Sequence, residues 1–100
     1  MMTIVTHVTL REGEEPAWDD AMRARLEAAR GRPGWISAQL LIPLDAPNRR
    51  TIIGTWETRA EWEAWHTDEA FTGTRERLEG LQAEPAETTW FEVLTEVHRE

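Results

Sequence analysis

The chain has 100 residues, the length of one domain, and a domain of that size buries roughly 65% of the surface its unfolded chain exposes. With 40% hydrophobic and 30% charged residues, no apolar run near the ~20 residues of a membrane span and no signal-peptide pattern, we expect a single cytoplasmic domain over residues 1–100. The formal net charge of -8 repels phosphate backbones and anionic membrane surfaces, so neither nucleic acids nor membranes are expected partners.

Residues 3–10 predict the first strand, because β-branched residues predominate and the pattern alternates with a period of two. One face of this strand carries Ile4, Thr6, Val8 and Leu10. A helix is predicted next: Pro16 suits its first position, and Gly31 and Pro33 end it. Its apolar residues recur at steps of three and four and form one buried stripe, made of Trp18, Met22, Leu26 and Ala29.

The middle of the chain predicts a β-hairpin. Residues 34–44 alternate along an extended segment, and so do residues 49–57, with a short turn at 45–48 between them. In the first of these strands, one predicted face carries Ile36, Ala38, Leu40, Ile42 and Leu44, and the other carries Trp35, Ser37, Gln39 and Leu41.

Two helical segments are predicted after the hairpin. Thr58 with Glu61 three residues later is a capping-box pattern, so a helix begins at Arg59. We expect a break at residues 67–68 and a second helical segment that runs to about residue 81.

A last strand is predicted over residues 88–97, and the order strand, helix, strand, strand, helix, strand gives an α+β, ferredoxin-like βαββαβ fold. In this fold a four-stranded antiparallel sheet carries both helices on one face. The other face would be left uncovered with Val5, His7, Ile53 and either Phe91 or Trp90. We therefore predict a homodimer in which the two sheets face each other.

The absent residue types restrict the chemistry. All eleven basic residues are arginine, and the chain has no cysteine and no tyrosine, so a Schiff base, a P-loop, a thiol nucleophile and a phenol acid are excluded. The one serine, Ser37, lies in a predicted strand outside any nucleophile elbow. No two histidines have a metal-ligand spacing such as i, i+4, so we expect no metal.

Four segments, TIVTHVTL, EPAWDDAM, PGWISAQLL and above all IIGTWETRAEWEAWHTDEAF, resemble the antibiotic biosynthesis monooxygenase (ABM) domain. The resemblance covers nearly the whole chain. It implies a dimeric α+β barrel with a pocket in each subunit between the helices and the sheet. It also implies oxygenation of a small phenol, quinol or polyketide aromatic by O2 without metal, flavin or other cofactor, although a heme-degrading branch exists.

The resemblance places Trp65 where the family has a pocket indole. Phe71 stands where anthrone-oxidising members have an aromatic hydroxyl, and Glu61 stands where they have an asparagine. The heme-degrading branch is similar at the tryptophan but uses an asparagine and an axial histidine where this chain has Thr6 and Arg75. These departures argue against heme degradation.

We predict a flat substrate-binding wall and a small catalytic set. The wall consists of Trp56, Trp62, Trp65 and Phe71, and the groups that would handle a proton and an oxyanion are His66, Arg75 and Thr6.

Each of these residues also has a simpler interpretation. Trp56 and at least one of Trp62 and Trp65 could be ordinary core. His66 could be a solvated histidine at a helix end, and Arg75 could form a surface ion pair with Glu79.

The leading hypothesis is therefore a cofactor-independent monooxygenase. The alternatives are a dimeric small-molecule or heme-binding protein without turnover, a heme-degrading monooxygenase, and an interaction domain whose tryptophans are all core.

Overall fold

A computed structural model describes residues 1–99. The chain forms four strands and three helices: β1 Met2–Thr9, α1 Glu15–Ala29, β2 Trp35–Leu41, β3 Arg49–Trp56, α2 Arg59–Trp65, α3 Glu69–Gly80 and β4 Glu87–Glu92. The strands make one antiparallel sheet in the order β2-β3-β1-β4, which confirms the predicted α+β ferredoxin-like fold. No helix within the described residues is both long enough and apolar enough to cross a membrane.

Side-chain caps set the helix boundaries after the hairpin. The Thr58 hydroxyl accepts a hydrogen bond from the backbone N–H of Glu61 at 3.2 Å, so α2 begins where the capping pattern predicts. The Asp68 carboxylate accepts a hydrogen bond from the N–H of Ala70 at 2.9 Å and starts α3. The predicted break between the two helices is confirmed, and it allows Trp65 and Phe71 to lie on different helices and still touch.

The predicted last strand, 88–97, is wrong at its C-terminal end, because β4 stops at Glu92. Glu92 pairs with Met2, the first residue of β1, and one further hydrogen bond joins the Val93 N–H to the Met1 carbonyl at 3.0 Å. Within residues 1–99 the sheet gives β4 no neighbour other than β1, so residues 94–99 have no strand to pair with, whatever their alternation.

The predicted faces of β2 are wrong at its first two residues. Trp35 pairs with Trp56, yet Ser37 pairs with Thr55, so Ile36 is an extra residue accommodated by a bulge. The bulge reverses the alternation: Trp35 packs against the helix-side core, while Ile36 is 39% exposed.

Strand β2 also ends sooner than predicted, at Leu41. Ile42 and Leu44, which the alternation assigned to the same face as Ala38 and Leu40, lie beyond the strand and are both exposed. The physical reason is Pro43, which lacks the N–H needed to continue the ladder.

Two hydrophobic clusters fill the layer between helices and sheet. The Trp18 cluster consists of Val8, Leu10, Trp18, Ala21, Met22 and Leu78. The Trp65 cluster consists of Ile4, Ala29, Trp56 and Trp65. In the first, Trp18 is completely buried and its indole N–H donates to the Gln82 side chain at 3.3 Å, so its polar group is satisfied.

A buried ion pair ties α1 to the start of β3. The Arg50 guanidinium binds both carboxylate oxygens of Asp19, at 2.8 and 3.0 Å, and donates to the carbonyls of Pro47 and Arg49. The hydrogen bonds that Arg50 donates to the Asp19 carboxylate are the main reason that the pKa of Arg50 is raised, against the opposing effect of burial. Because every branch of the fork has an acceptor, the side chain can be 4% exposed without an unpaired charge.

The register of β4 decides which aromatic residue lies on the outer face of the sheet. Phe91 pairs with Thr3 on the outer face, where it is 50% exposed, and Trp90 pairs with Ile4 on the helix side. The apolar residues of the outer face are Val5, Leu41, Ile53 and Phe91.

Candidate functional site

A cavity of about 760 Å³ lies between the helices and the sheet, beside the Trp65 cluster. This volume is within the range of roughly 300–1,000 Å³ that is usual for small-molecule sites. The structure places all seven side chains predicted for the site around this one cavity: Thr6, Trp56, Trp62, Trp65, His66, Phe71 and Arg75.

Five rings in contact form one wall of the cavity. The indoles of Trp56 and Trp65 are stacked with ring centroids 6.5 Å apart, and Phe71 meets Trp65 edge-on at 5.8 Å. The imidazole of His66 continues the series, 4.1 Å from Phe71 and 4.0 Å from Trp62. Such a wall presents flat, polarizable surface, which suits a flat aromatic ligand.

The two stacked indoles, Trp56 and Trp65, belong both to the hydrophobic core and to the wall of the cavity. Trp56 and Trp65 are only 4% and 6% exposed, yet both border the cavity. Each therefore packs against the protein on one side and presents a surface to the cavity on the other.

His66 is not the solvated helix-end histidine of the simpler interpretation. It is half-buried between two rings, and its Nδ1 lies 2.9 Å from the carbonyl of Trp62. Since a carbonyl only accepts, we assign the proton to Nδ1, which leaves Nε2 as the acceptor of the neutral ring. Burial lowers the pKa of His66; the Trp62 hydrogen bond opposes this shift, and the charges of Arg25 and Arg75 add to it. The imidazole is therefore neutral and able to accept a proton at neutral pH.

Arg25 borders the cavity and was missed by the sequence analysis, which did not include it among the predicted site residues. Its guanidinium carbon lies 3.9 Å from the centroid of Phe71. Nε donates to the Thr74 hydroxyl and Nη2 donates to the Phe71 carbonyl, both at 2.9 Å. Burial lowers the pKa of Arg25 to about 10, with the charge of Arg75 acting in the same direction and that of Glu79 against it. The Arg25 side chain points to the cavity because it forms hydrogen bonds with α3, and nothing in the sequence predicts these hydrogen bonds.

Arg75 does not form the ion pair that the simpler interpretation gave it. Within residues 1–99 no carboxylate, including that of Glu79, lies within 4.0 Å of its guanidinium nitrogens. Its guanidinium carbon lies 5.3 Å from the Phe71 ring centroid, at the edge of the cavity. Thr6 faces the cavity from β1, and its hydroxyl shares a 3.2 Å hydrogen bond with that of Thr88.

The fold of this chain recurs in known proteins. The family model described as "Antibiotic biosynthesis monooxygenase" (ABM) matches residues 1–77 of the chain. The chain belongs to this family. Comparison of the sequence with curated proteins gave no match.

Several solved structures superpose closely on the chain. A protein from Nitrosomonas europaea assigned to the antibiotic biosynthesis monooxygenases has a TM-score of 0.90 at 20% identity, covering 95% of this chain and all of its own. SnoaB from Streptomyces nogalater, a cofactor-independent oxygenase, has a TM-score of 0.86 at 17% identity, covering 98% of this chain and 97% of its own. Rv0793 from Mycobacterium tuberculosis has a TM-score of 0.89 at 15% identity, covering 97% and 98%. At these identities the likeness concerns the fold.

One position implied by the ABM resemblance is not in the cavity. Glu61, which stands where anthrone-oxidising members have an asparagine, accepts a hydrogen bond from the Thr58 hydroxyl at 3.0 Å and is not among the lining residues. Its carboxyl group occupies the space that a Cβ on Gly34 would fill. Gly34 has φ +81°, so this close approach needs glycine for two reasons.

Trp35 is a second lining residue that sequence reasoning missed. Plain alternation from residue 34 assigned it to the face away from Ala38, and only the bulge at Ile36 brings both to the cavity side. A bulge is set by pairing with the neighbouring strand and leaves no reliable trace in the alternation itself.

Proposed function

We propose that this ABM protein is a cytoplasmic, cofactor-independent monooxygenase that oxidises a small flat aromatic, a phenol, quinol or polyketide ring, with O2. The observation that carries the proposal is the pairing of a flat wall with a base. His66 lies between two rings of that wall and has a free Nε2 beside the cavity. The substrate would stack on Trp65 and Phe71, and Trp56 and Trp62 would complete the wall.

The chemistry follows from what an electron-rich ring can do once it is ionised. His66 Nε2 takes a proton from the substrate, and Arg75 with the Thr6 hydroxyl stabilises the resulting anion. The anion passes one electron to O2, and the two radicals combine to form a C–O bond. The peroxide then regains the proton from His66, and loss of water converts a ring CH2 into C=O. One oxygen atom of O2 stays in the product and the other leaves in water.

Oxygen uptake with a panel of anthrones and naphthoquinols tests this proposal. We expect the protein to consume one O2 per product, and with ¹⁸O2 to place one labelled atom in the product and one in water. Trp65→Ala should abolish most of this uptake, because the substrate loses its stacking surface. The matched control is Trp90→Ala, which removes an indole that is 46% exposed and does not line the cavity. A folded Trp65→Ala protein that oxidises the panel at the wild-type rate would contradict the site assignment.

We further propose a homodimer formed through the outer face of the sheet. Phe91 and Leu41 are 50% and 39% exposed on this face. Exposed apolar residues grouped on one face of a soluble protein commonly mark an interaction surface. Light scattering at micromolar concentration should give twice the 11.6 kDa mass of the chain, and Phe91→Glu should lower it to one chain. A wild-type protein that stays monomeric at these concentrations would contradict this interface.

Binding without turnover is the second candidate. It is favoured by the position of Glu61, whose carboxylate lies against Gly34 instead of in the cavity, so one polar group implied by the oxygenase resemblance is missing from the site. In this case anthrones and quinols would quench tryptophan fluorescence but cause no O2 uptake. Hemin serves as a separate probe: a stable Soret band would indicate heme binding, and its loss with ascorbate would indicate heme degradation.

A further inference from the structure

Two arginines from different helices lie beside Phe71 where it borders the cavity. Arg25 on α1 and Arg75 on α3 both line it, and their guanidinium carbons lie 3.9 and 5.3 Å from the centroid of Phe71. Like charges repel, and after burial the charge of Arg75 is the next cause of the lowered pKa of Arg25. We call Arg25 and Arg75 the cationic end of the cavity.

The protein itself does not neutralise the cationic end. In the described part of the chain, neither guanidinium has a carboxylate within 4.0 Å, although the chain as a whole carries a net charge of -8. Two acidic residues also line the cavity. Glu84 accepts a hydrogen bond from the Thr9 hydroxyl at 3.0 Å. The charge of Glu79 raises the pKa of Arg25, but this effect is smaller than the lowering caused by burial and by Arg75. Positive charge therefore remains at this end of the cavity.

Arg25 is held in place before any ligand arrives. Nε and Nη2 are fixed by the Thr74 hydroxyl and the Phe71 carbonyl, and the Thr74 hydroxyl donates in turn to the same carbonyl at 3.0 Å. Nη1 has no hydrogen-bond partner within residues 1–99. A guanidinium that is anchored on two nitrogens and has a third to offer loses little side-chain entropy when it binds an anion.

We infer that Arg25, assisted by Arg75, is a specificity-determining residue that binds an oxygen anion carried by the flat ligand. The inference rests on the proposed function for the class of ligand, a flat aromatic, but not on turnover. The anion has two possible sources, a carboxylate substituent on the ring system or an ionised ring hydroxyl. Either would lie over or beside Phe71 while the rings contact the aromatic wall.

Binding of redox-inert anthraquinones, followed by quenching of tryptophan fluorescence, tests the inference apart from catalysis. We compare anthraquinone-2-carboxylate with neutral 2-(hydroxymethyl)anthraquinone, which has the same rings. A charge-assisted hydrogen bond should make the carboxylate bind about tenfold more tightly. A third probe, 2-hydroxyanthraquinone, is measured below and above the pKa of its hydroxyl. A preference for the carboxylate alone identifies a substituent as the anion, and a preference for the ionised hydroxyl alone identifies the ring oxygen; either supports the inference.

Three arginine variants locate the effect. Arg25→Met should bring the Kd values of the charged and neutral probes together while leaving the neutral Kd within about threefold of wild type, since charge is removed but the apolar stem is kept. Arg75→Met, whose side chain makes no hydrogen bond within residues 1–99, should reduce the preference in part. The matched control is Arg77→Met, which removes the same charge from an exposed position on α3 outside the cavity and should leave the preference intact.

A wild-type protein that binds charged and neutral probes equally overturns the inference, and this result does not depend on any variant folding. So does an unchanged preference in folded Arg25→Met and Arg75→Met, or an equal loss in Arg77→Met. If quinols are oxidised but the anion preference is absent, only this inference fails. If the anion preference is present but no substrate is oxidised, the proposed turnover fails and the inference stands.

Discussion

The Trp18 cluster and the Trp65 cluster are two ends of the same layer, and each is built around an almost fully buried indole. Trp18 is 0% and Trp65 is 6% exposed, so burial alone does not distinguish them. Their neighbours do: Trp18 packs against flexible aliphatic side chains such as Leu10 and Leu78, and Trp65 packs against the rings of Trp56 and Phe71. The cavity separates them as well: Trp56, Trp65 and Phe71 all line it, whereas Trp18 does not, although Val8, Met22 and Leu78 of its cluster do. The comparison teaches that two equally buried tryptophans can have different surroundings, since Trp18 is enclosed by protein on every side and Trp65 has the cavity on one.

The largest expected effect separates the two indoles directly. Trp18→Ala should lower the free energy of unfolding by about 3–5 kcal/mol, since it removes close packing on all sides. Trp65→Ala should lower it by only about 2 kcal/mol, because part of the indole already borders a cavity and makes fewer contacts. Chemical denaturation followed by far-UV circular dichroism measures both. Equal losses would mean that the Trp65 cluster is packed as tightly as the other.

Next in size is the ion pair that anchors α1 beside the Trp18 cluster. Asp19→Ala should destabilise the protein by about 3 kcal/mol, because it leaves the Arg50 guanidinium buried without its carboxylate. The double variant Asp19→Leu with Arg50→Met should recover part of this loss, since no unpaired charge remains. Additive losses in the double variant would show that the pair itself contributes little.

At the cavity end the corresponding test concerns catalysis. With its pKa lowered by burial, His66 is the proton acceptor only above that pKa, so kcat/KM should fall as pH drops through a midpoint below the ordinary value of about 6.5. His66→Gln should reduce kcat by about 100-fold and remove this acidic limb, while stability changes little. A variant that keeps the wild-type pH profile would exclude His66 as the base.

The smallest expected effect concerns the loop that leads into β2. Gly34→Ala should destabilise the protein by about 1–2 kcal/mol, since φ +81° is unfavourable for alanine and the new methyl group displaces the Glu61 carboxyl. The double variant with Glu61→Ala should remove the second part of this penalty and leave only the first. Denaturant midpoints of the two variants, compared with Glu61→Ala alone, separate the two parts. An unchanged midpoint in Gly34→Ala would contradict both.

Sequence reasoning was most successful where the cause of a structure is local. The capping box at Thr58 and the break before Asp68 were predicted because each involves residues three or fewer apart. The alternation of β1 placed Thr6 on the helix side, and the short spacing of the ring residues brought Trp65 and His66 to one cavity. Sequence reasoning failed at Arg25, because the orientation of this side chain depends on its contacts with Phe71 and Thr74 on another helix.

By itself the sequence determined the order of strands and helices, the start of α2 and the break that follows it, because periodicity and caps act within a few residues. Only the tertiary structure decided where β4 ends, since that depends on where β1 begins. Likewise, the bulge that turns Trp35 toward the cavity depends on pairing with β3. Arg25 and Arg75 line the same cavity only because α1 packs against α3. Each of these features depends on contacts between two strands or two helices, so neither segment of the sequence could predict it alone.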